Sequence, residues 1–228
     1  MATAAKNALI VGASRGLGLG LADTFLKRGW RVTATQRTPS PELAALVSEA
    51  LTVETVDIDD DAAVAALHGR LESQTYDLVF VVAGVATRAH DPLHAVPRAV
   101  AAQVYLTNAI SPIRFAEAFR DRLAPGGSLA LMTSILGSVA LNDEGGWENY
   151  RASKAALNTL ARSFEIRHRD ANVSVLLVHP GWVRTEMGGP EADLDVATSV
   201  AGMADVIEAR LGRPGCAYVD YRGTTLDW

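Results

Sequence analysis

Tyr150 and Lys154 stand four residues apart at the head of "NYRASKAALNTLARSFEIR" (149–167), a stretch with the amphipathic pattern of a long helix. Residues at i and i+4 share a helical face, so a phenol would lie one turn from an ammonium group. A phenol ordinarily ionises near pH ~10, and a fixed cation nearby favours its charged form, so the pair is expected to act as a proton donor tuned toward neutrality. The same spacing also suits a solvated surface, and the pair alone does not decide. Ser134 closes the run "SLALMTS". A hydroxyl there could hydrogen-bond an oxygen that receives the proton and stabilise its developing charge. Asn108, in "YLTNAIS", is a fourth polar candidate. An asparagine inside a helix more often satisfies local backbone groups.

A second constellation lies near the N-terminus. "ALIVGASRGLGLG" runs from an apolar segment into a helical pattern, with Gly12, Gly16 and Gly18 spaced G-x-x-x-G-x-G. Gly12 would permit a tight turn, while Gly16 and Gly18 would let backbone N–H groups approach a pyrophosphate at a helix N-terminus. A glycine-rich turn without a ligand is the plainer reading. Selection of NAD places an acid near the end of the second strand. Here "TATQRT" offers Gln36 and Arg37 instead, and Arg15 sits inside the glycine loop. Guanidinium groups without a carboxylate suit a 2′-phosphate, which favours NADP. Lys154 could then also hold the nicotinamide ribose.

These groups must be carried by a scaffold. Near-continuous apolar runs at 8–14, 30–36, 51–58, 77–84, 128–134, 173–180 and 216–221 read as strands buried on both faces of a parallel sheet. Helical patterns at 19–29, 61–73, 99–123 and 150–170 alternate with them. The expectation is one α/β domain over 1–228: a Rossmann-type, doubly wound parallel sheet of about seven strands with helices on both faces. Sites in such sheets lie beyond the carboxyl ends of the strands, where all the residues named above fall. The net charge of −5, with scattered Lys and Arg, argues against a nucleic-acid partner. One cysteine, Cys216, excludes an internal disulfide and suits a reducing compartment. With no leader pattern in "MATAAKNALIVGAS" and no membrane-length apolar run, a cytoplasmic protein is expected. No metal is expected.

In their order, "VGASRGLG", Asp57 in "VDI", "VAG" (82–84), Asn108, "TSILGS", "YRASK" and "HPGWVRTEM" (179–187) resemble the short-chain dehydrogenase/reductase family from about residue 7 to residue 228. The segment "HPGWVRTEMGG" and the ending "GTTLDW" are most similar to a branch of small carbonyl-reductase-like and C-factor-like members. The resemblance implies NAD(P)-dependent oxidoreduction of carbonyls and alcohols by Asn108, Ser134, Tyr150 and Lys154, with Asn108 ordering a water that serves Lys154. It implies a cofactor site that includes Ser14, Leu17, Ala83, Gly84, Pro180 and Gly181. Asp57 and Ile58 would meet the adenine, and Val183 and Thr185 the carboxamide. It also implies a short substrate lid near 186–198 and a homodimer or homotetramer paired through the two long helices. Ala155 and Ala161 look exposed there and small enough for close approach. Two departures stand out: Val11 replaces the family's usual Thr, and Val82 its usual Asn.

Leu136, Leu141, Trp147, Trp182 and Met187, with Asp143 and Glu144 nearby, are candidates for the substrate pocket. Apolar walls beside acids point to an uncharged carbonyl compound, although packing or subunit contacts explain the same residues. A dinucleotide-binding regulator with little turnover is the alternative function. A sugar-nucleotide epimerase or dehydratase is a third, but such enzymes usually carry a larger C-terminal substrate domain.

Overall fold

The structure, a computed structural model, describes residues 5–46 and 48–228. The first four residues, part of the stretch read as lacking a leader, lie outside them, as does Val47. Seven parallel strands pair in the order β3-β2-β1-β4-β5-β6-β7. They are β1 (Asn7–Val11), β2 (Arg31–Gln36), β3 (Leu51–Thr55), β4 (Tyr76–Val81), β5 (Leu123–Met132), β6 (Ser174–His179) and β7 (Gly215–Asp220). The chain starts in mid-sheet, winds outward to β3, then crosses back past β1 to β4. The reversal at β1/β4 opens the crevice where ligands of such sheets bind.

The helices are α1 (Gly16–Lys27), α2 (Pro41–Ala44), α3 (Asp61–Arg70), α4 (Arg98–Tyr105), α5 (Ser111–Phe119), α6 (Glu148–Arg167) and α7 (Val196–Arg210). They cover both faces. Strand residues alternate between two cores: Leu9, Val11, Leu129, Leu131, Val175 and Leu177 pack under α3, α5 and α6. Ala8, Ile10, Ala130, Met132, Leu176 and Val178 pack under α1 and α7. Burial on both faces explains why these strands read as unbroken apolar runs.

Three expectations need correction. The segment expected as a lid, 186–198, runs into a helix: α7 begins at Val196, capped by the Asp195 carboxylate on the Thr198 N–H at 2.7 Å. The helical pattern at 99–123 is not one α-helix, because α4 and α5 flank a π-helical turn at Leu106–Ile110. Ala161 is fully buried rather than exposed. It lies four residues after Leu157 and seven after Lys154, and so shares their core-facing stripe. Among the described residues, no helix is long and apolar enough to cross a membrane.

Candidate active site

Helix α6 carries a polar head on an apolar stalk. Its buried stripe runs Tyr150, Ser153 and Lys154 in the first turns, then Leu157, Ala161 and Phe164. The stalk fixes the helix against the sheet, and this brings the head to the carboxyl ends of β4 and β5. Trp147 enters the helix in the left-handed region at φ 50°, a costly conformation for a large residue. Its ring packs edge-on against Tyr150 at 5.7 Å and against His90 at 4.5 Å.

Ser134 lies just past β5, where its hydroxyl accepts from the Leu136 N–H at 3.1 Å and meets the Tyr150 phenol. The Lys154 ammonium donates to the Met132 carbonyl at 2.9 Å and stands 5.7 Å from the Tyr150 ring centroid. The structure therefore brings Ser134, Tyr150 and Lys154 together. It reverses the expected tuning of the phenol. Burial pushes Tyr150 up to about 12, and the Ser134 hydroxyl only partly offsets it. Burial also pushes Lys154 down to about 8. Desolvation of the charged forms outweighs the attraction of a cation that is itself dehydrated.

Asn108 is fully buried in the π turn. Its amide clamps Val85, accepting from the Val85 N–H and donating to the Val85 carbonyl, both at 2.8 Å, and donates to the Ser153 hydroxyl at 3.0 Å. A methyl group at Gly84 would sit 3.2 Å from the Asn108 amide oxygen and 3.4 Å from the Lys154 ammonium. Asn108 thus joins the polar cluster at the head of α6 by fastening the loop after β4. Asp59 holds the turn from below, accepting from Thr107 and Ser111 at 2.6 Å each and from Gln103 at 2.9 Å.

The glycine loop divides its labour differently from expectation. Gly12 adopts φ 92°, and a methyl there would lie 2.9 Å from the Ala83 nitrogen. A methyl at Gly18 would fall 2.0 Å from the Gly12 carbonyl oxygen, so Gly18 is required for the closeness of loop and helix. Gly16 faces open space as far as the Thr185 methyl at 3.7 Å. That leaves Gly16 as the glycine bordering the cleft. Leu17 packs partly buried on the α1–α7 core.

With Val at 11 and 82, the backbone does the tying. The Val82 and Ala83 N–H groups both donate to the Val11 carbonyl, at 2.9 and 3.1 Å. Thr35 on β2 supplies its hydroxyl to the Gly12 N–H at 3.1 Å, and Ser40 donates to the Ser14 carbonyl at 2.6 Å. Arg37 is exposed past β2, while Arg15 pairs with Glu186 across the mouth of the cleft. Asp57 caps its own turn through the Asp59 N–H at 3.0 Å, and Ile58 is buried in the α3–α5 core.

After β6, Pro180 accepts from Ser199 at 2.7 Å, and Gly181 turns at φ 83°. The segment beyond folds onto itself: Val183 bridges Leu194, the Thr185 hydroxyl accepts from Gly188, and the Trp182 indole donates to the Gly188 carbonyl at 2.8 Å. Trp182 and Met187 are half exposed on its surface, and Leu141 is exposed on the loop before α6. Leu136, Val139, Asn142, Arg151 and Ala155 line a depression of 260 Å³. It lies on the side of α6 turned away from Tyr150, because Ala155 is rotated by roughly 140° from it.

Thr35, Ser40 and Asp59 were not singled out from the sequence. Their roles depend on strand register and on contacts across the fold, which no local spacing reveals.

Residues 6–194 match the short chain dehydrogenase family. C-signal of Myxococcus xanthus is 40% identical over 129 residues, covering 56% of this chain and 78% of that protein. A short-chain dehydrogenase/reductase of Burkholderia multivorans, solved with bound NADP, superposes with a TM-score of 0.95 at 40% identity, covering 98% of this chain and 100% of that one. A carbonyl reductase of Pseudomonas aeruginosa in complex with NADP gives a TM-score of 0.92 at 43% identity, covering 99% of this chain and 100% of that one.

Proposed function

The chain belongs to the short-chain dehydrogenase family, and from that premise we propose that it is an NADP-dependent oxidoreductase reducing a small uncharged carbonyl compound to an alcohol. The observation carrying the proposal is a buried phenol, a buried ammonium and a serine hydroxyl meeting beside the glycine cradle. The cradle fits a dinucleotide. It is bare at Gly16, β2 runs out into Gln36 and Arg37 where an acid would select NAD, and both solved relatives described above hold NADP. When bound, the cofactor supplies the hydride. Gly12, Ser14, Gly16 and Leu17 would hold its pyrophosphate side, and Arg15 and Arg37 its 2′-phosphate. Ala83, Gly84, Pro180, Gly181, Val183 and Thr185 would line the path to the reactive end, where Tyr150 and Lys154 hold the ribose. Asp57 and Ile58 would border the adenine.

The raised pKa of Tyr150 keeps it protonated at neutral pH, so it enters as an acid. It passes its proton to the carbonyl oxygen as that oxygen gains electrons. Ser134 donates a hydrogen bond to the same oxygen, aimed where charge develops. Lys154, charged below about pH 8, stabilises the phenolate left behind in a site with little water. Asn108 keeps the Val85 loop and the lysine in register. The outer face of α6, with Ala155 and the depression, is where we place a homodimer or homotetramer contact, and the single cysteine suits the cytoplasm.

NADPH oxidation followed by absorbance against aldehydes, ketones, diketones and quinones, with NADH in parallel, tests the proposal. Turnover with a preference for NADPH is expected. Tyr150→Phe should lose roughly a thousandfold in rate, and persisting turnover in that variant overturns the acid assignment. Arg37→Asp should move preference toward NADH; an unchanged ratio removes Arg37 from the phosphate site. The second reading, a dinucleotide-binding regulator, draws on the identity to C-signal. Tight NADPH binding without turnover on any carbonyl would favour it.

A further inference from the structure

We propose that Tyr218 on β7 is a positioning residue that sets the Ser134 hydroxyl for catalysis, which rests on the reading of Ser134 given above. Tyr218 is 1% exposed, and its hydroxyl reaches across β6 to donate to the Ser134 carbonyl at 2.6 Å. A phenol buried to that degree needs a partner. It spends its donor on the backbone of the residue that must aim a hydroxyl at the reacting oxygen.

The surrounding contacts explain why this bond is directional. The Thr133 N–H donates to the Val178 carbonyl at 3.0 Å, which ends the β5 ladder there. Beyond that point the chain turns at Ile135–Gly137, and the Ser134 carbonyl accepts from the Gly137 N–H at 2.8 Å. Asn158 on α6 holds the flanks, accepting from the Thr133 hydroxyl at 2.7 Å and donating to the Gly137 carbonyl at 3.4 Å. Tyr218 supplies the anchor from the sheet side. The tyrosine is itself braced: Trp228 packs on its ring at 5.5 Å, and the Leu226 N–H donates to its carbonyl at 2.9 Å. The Trp228 carbonyl oxygen also accepts from the Ala140 N–H at 3.1 Å, so the same brace reaches the loop that leads to Trp147 and Tyr150. Without the Tyr218 donor, the Ser134 carbonyl keeps only the local Gly137 N–H, and the peptide that aims the hydroxyl loses its tie to the sheet. A loss of that kind appears in the transition state, where charge on the oxygen is greatest, and not in cofactor binding.

The test is Tyr218→Phe, which keeps the ring and removes one donor, assayed with the carbonyl of the panel reduced fastest. The comparison is made in the wild-type and Ser134→Ala backgrounds. Tyr76→Phe is the control, since Tyr76 is equally buried and its hydroxyl bonds Thr33, far from the site, at 3.1 Å. Expected is a fall in kcat of roughly tenfold with the NADPH Kd unchanged, no further fall when Ser134→Ala is already present, and unchanged kcat in the control. An equal fall in both backgrounds, or no fall in either, overturns the positioning role. Full turnover in Ser134→Ala alone instead removes Ser134 from the mechanism, and with it the basis of the inference.

Discussion

Lys154→Met should stabilise the fold while abolishing turnover. Lys154 is 3% exposed, and burial lowers the pKa of its ammonium from 10.5 to about 8. An unfolded chain keeps the ordinary value, so between those two pH values the unfolded state binds more protons than the folded one. Stability then rises with pH across that window, and below it the lysine carries its full penalty. Linkage puts this near ~3 kcal/mol at pH 6.5, falling to ~1 kcal/mol at pH 9.5. Methionine matches the length of the stem without a charge, but it leaves the Met132 carbonyl without its 2.9 Å partner, a loss of about 1 kcal/mol. The net gain is about 2 kcal/mol at pH 6.5 and close to zero at pH 9.5. For a chain of this size that corresponds to a Tm increase of roughly 4–8 °C at the lower pH. The assay is thermal unfolding of the cofactor-free protein, wild type against variant, from pH 6.5 to 9.5. A variant less stable at pH 6.5, or a difference that does not shrink as pH rises, refutes the idea that desolvation governs this lysine.

Gly18→Ala would place a methyl 2.0 Å from the Gly12 carbonyl oxygen. Overpacking against backbone costs about 1–3 kcal/mol, so a lower Tm and at least tenfold weaker NADPH binding in a titration are expected; ordinary binding would show that the loop yields. Glu186→Gln releases Arg15 from its exposed partner. NADPH should bind roughly two- to fivefold more tightly at low salt, with the gain fading as ionic strength rises; unchanged binding at low salt would place Arg15 outside the phosphate site.

The sheet was legible because its strands are buried on both faces and so carry uninterrupted apolar runs, as in "VSVLLVHP". The placing of Tyr150 and Lys154 at the head of α6 was legible because helical spacing alone puts them on one side. Their ionisation was not, since it depends on how much water the fold removes, and sequence does not measure depth. Helix α7 escaped notice because "VATSVAGMADVIEAR" is rich in small residues whose contrast between faces is slight, though Val200, Met203, Ala204 and Ile207 form its buried stripe. Gly18 shared the motif of Gly16, and only the backbone approach separates their duties. Tyr218 read simply as a strand residue, because its partner is 84 positions away in the chain.

The π turn at Leu106–Ile110 has a wider consequence. One surplus residue in a helix advances everything after it by roughly 100° of azimuth. The apolar side chains of α5, among them Ile113, Phe115 and Phe119, lie in the interior in the register that this advance sets. Deleting a single position there would restore ideal helical hydrogen bonding and swing those rings toward solvent. The irregularity that seats Asn108 is therefore locked in twice, by the oily half of the molecule and by the asparagine's own grip on the Val85 loop.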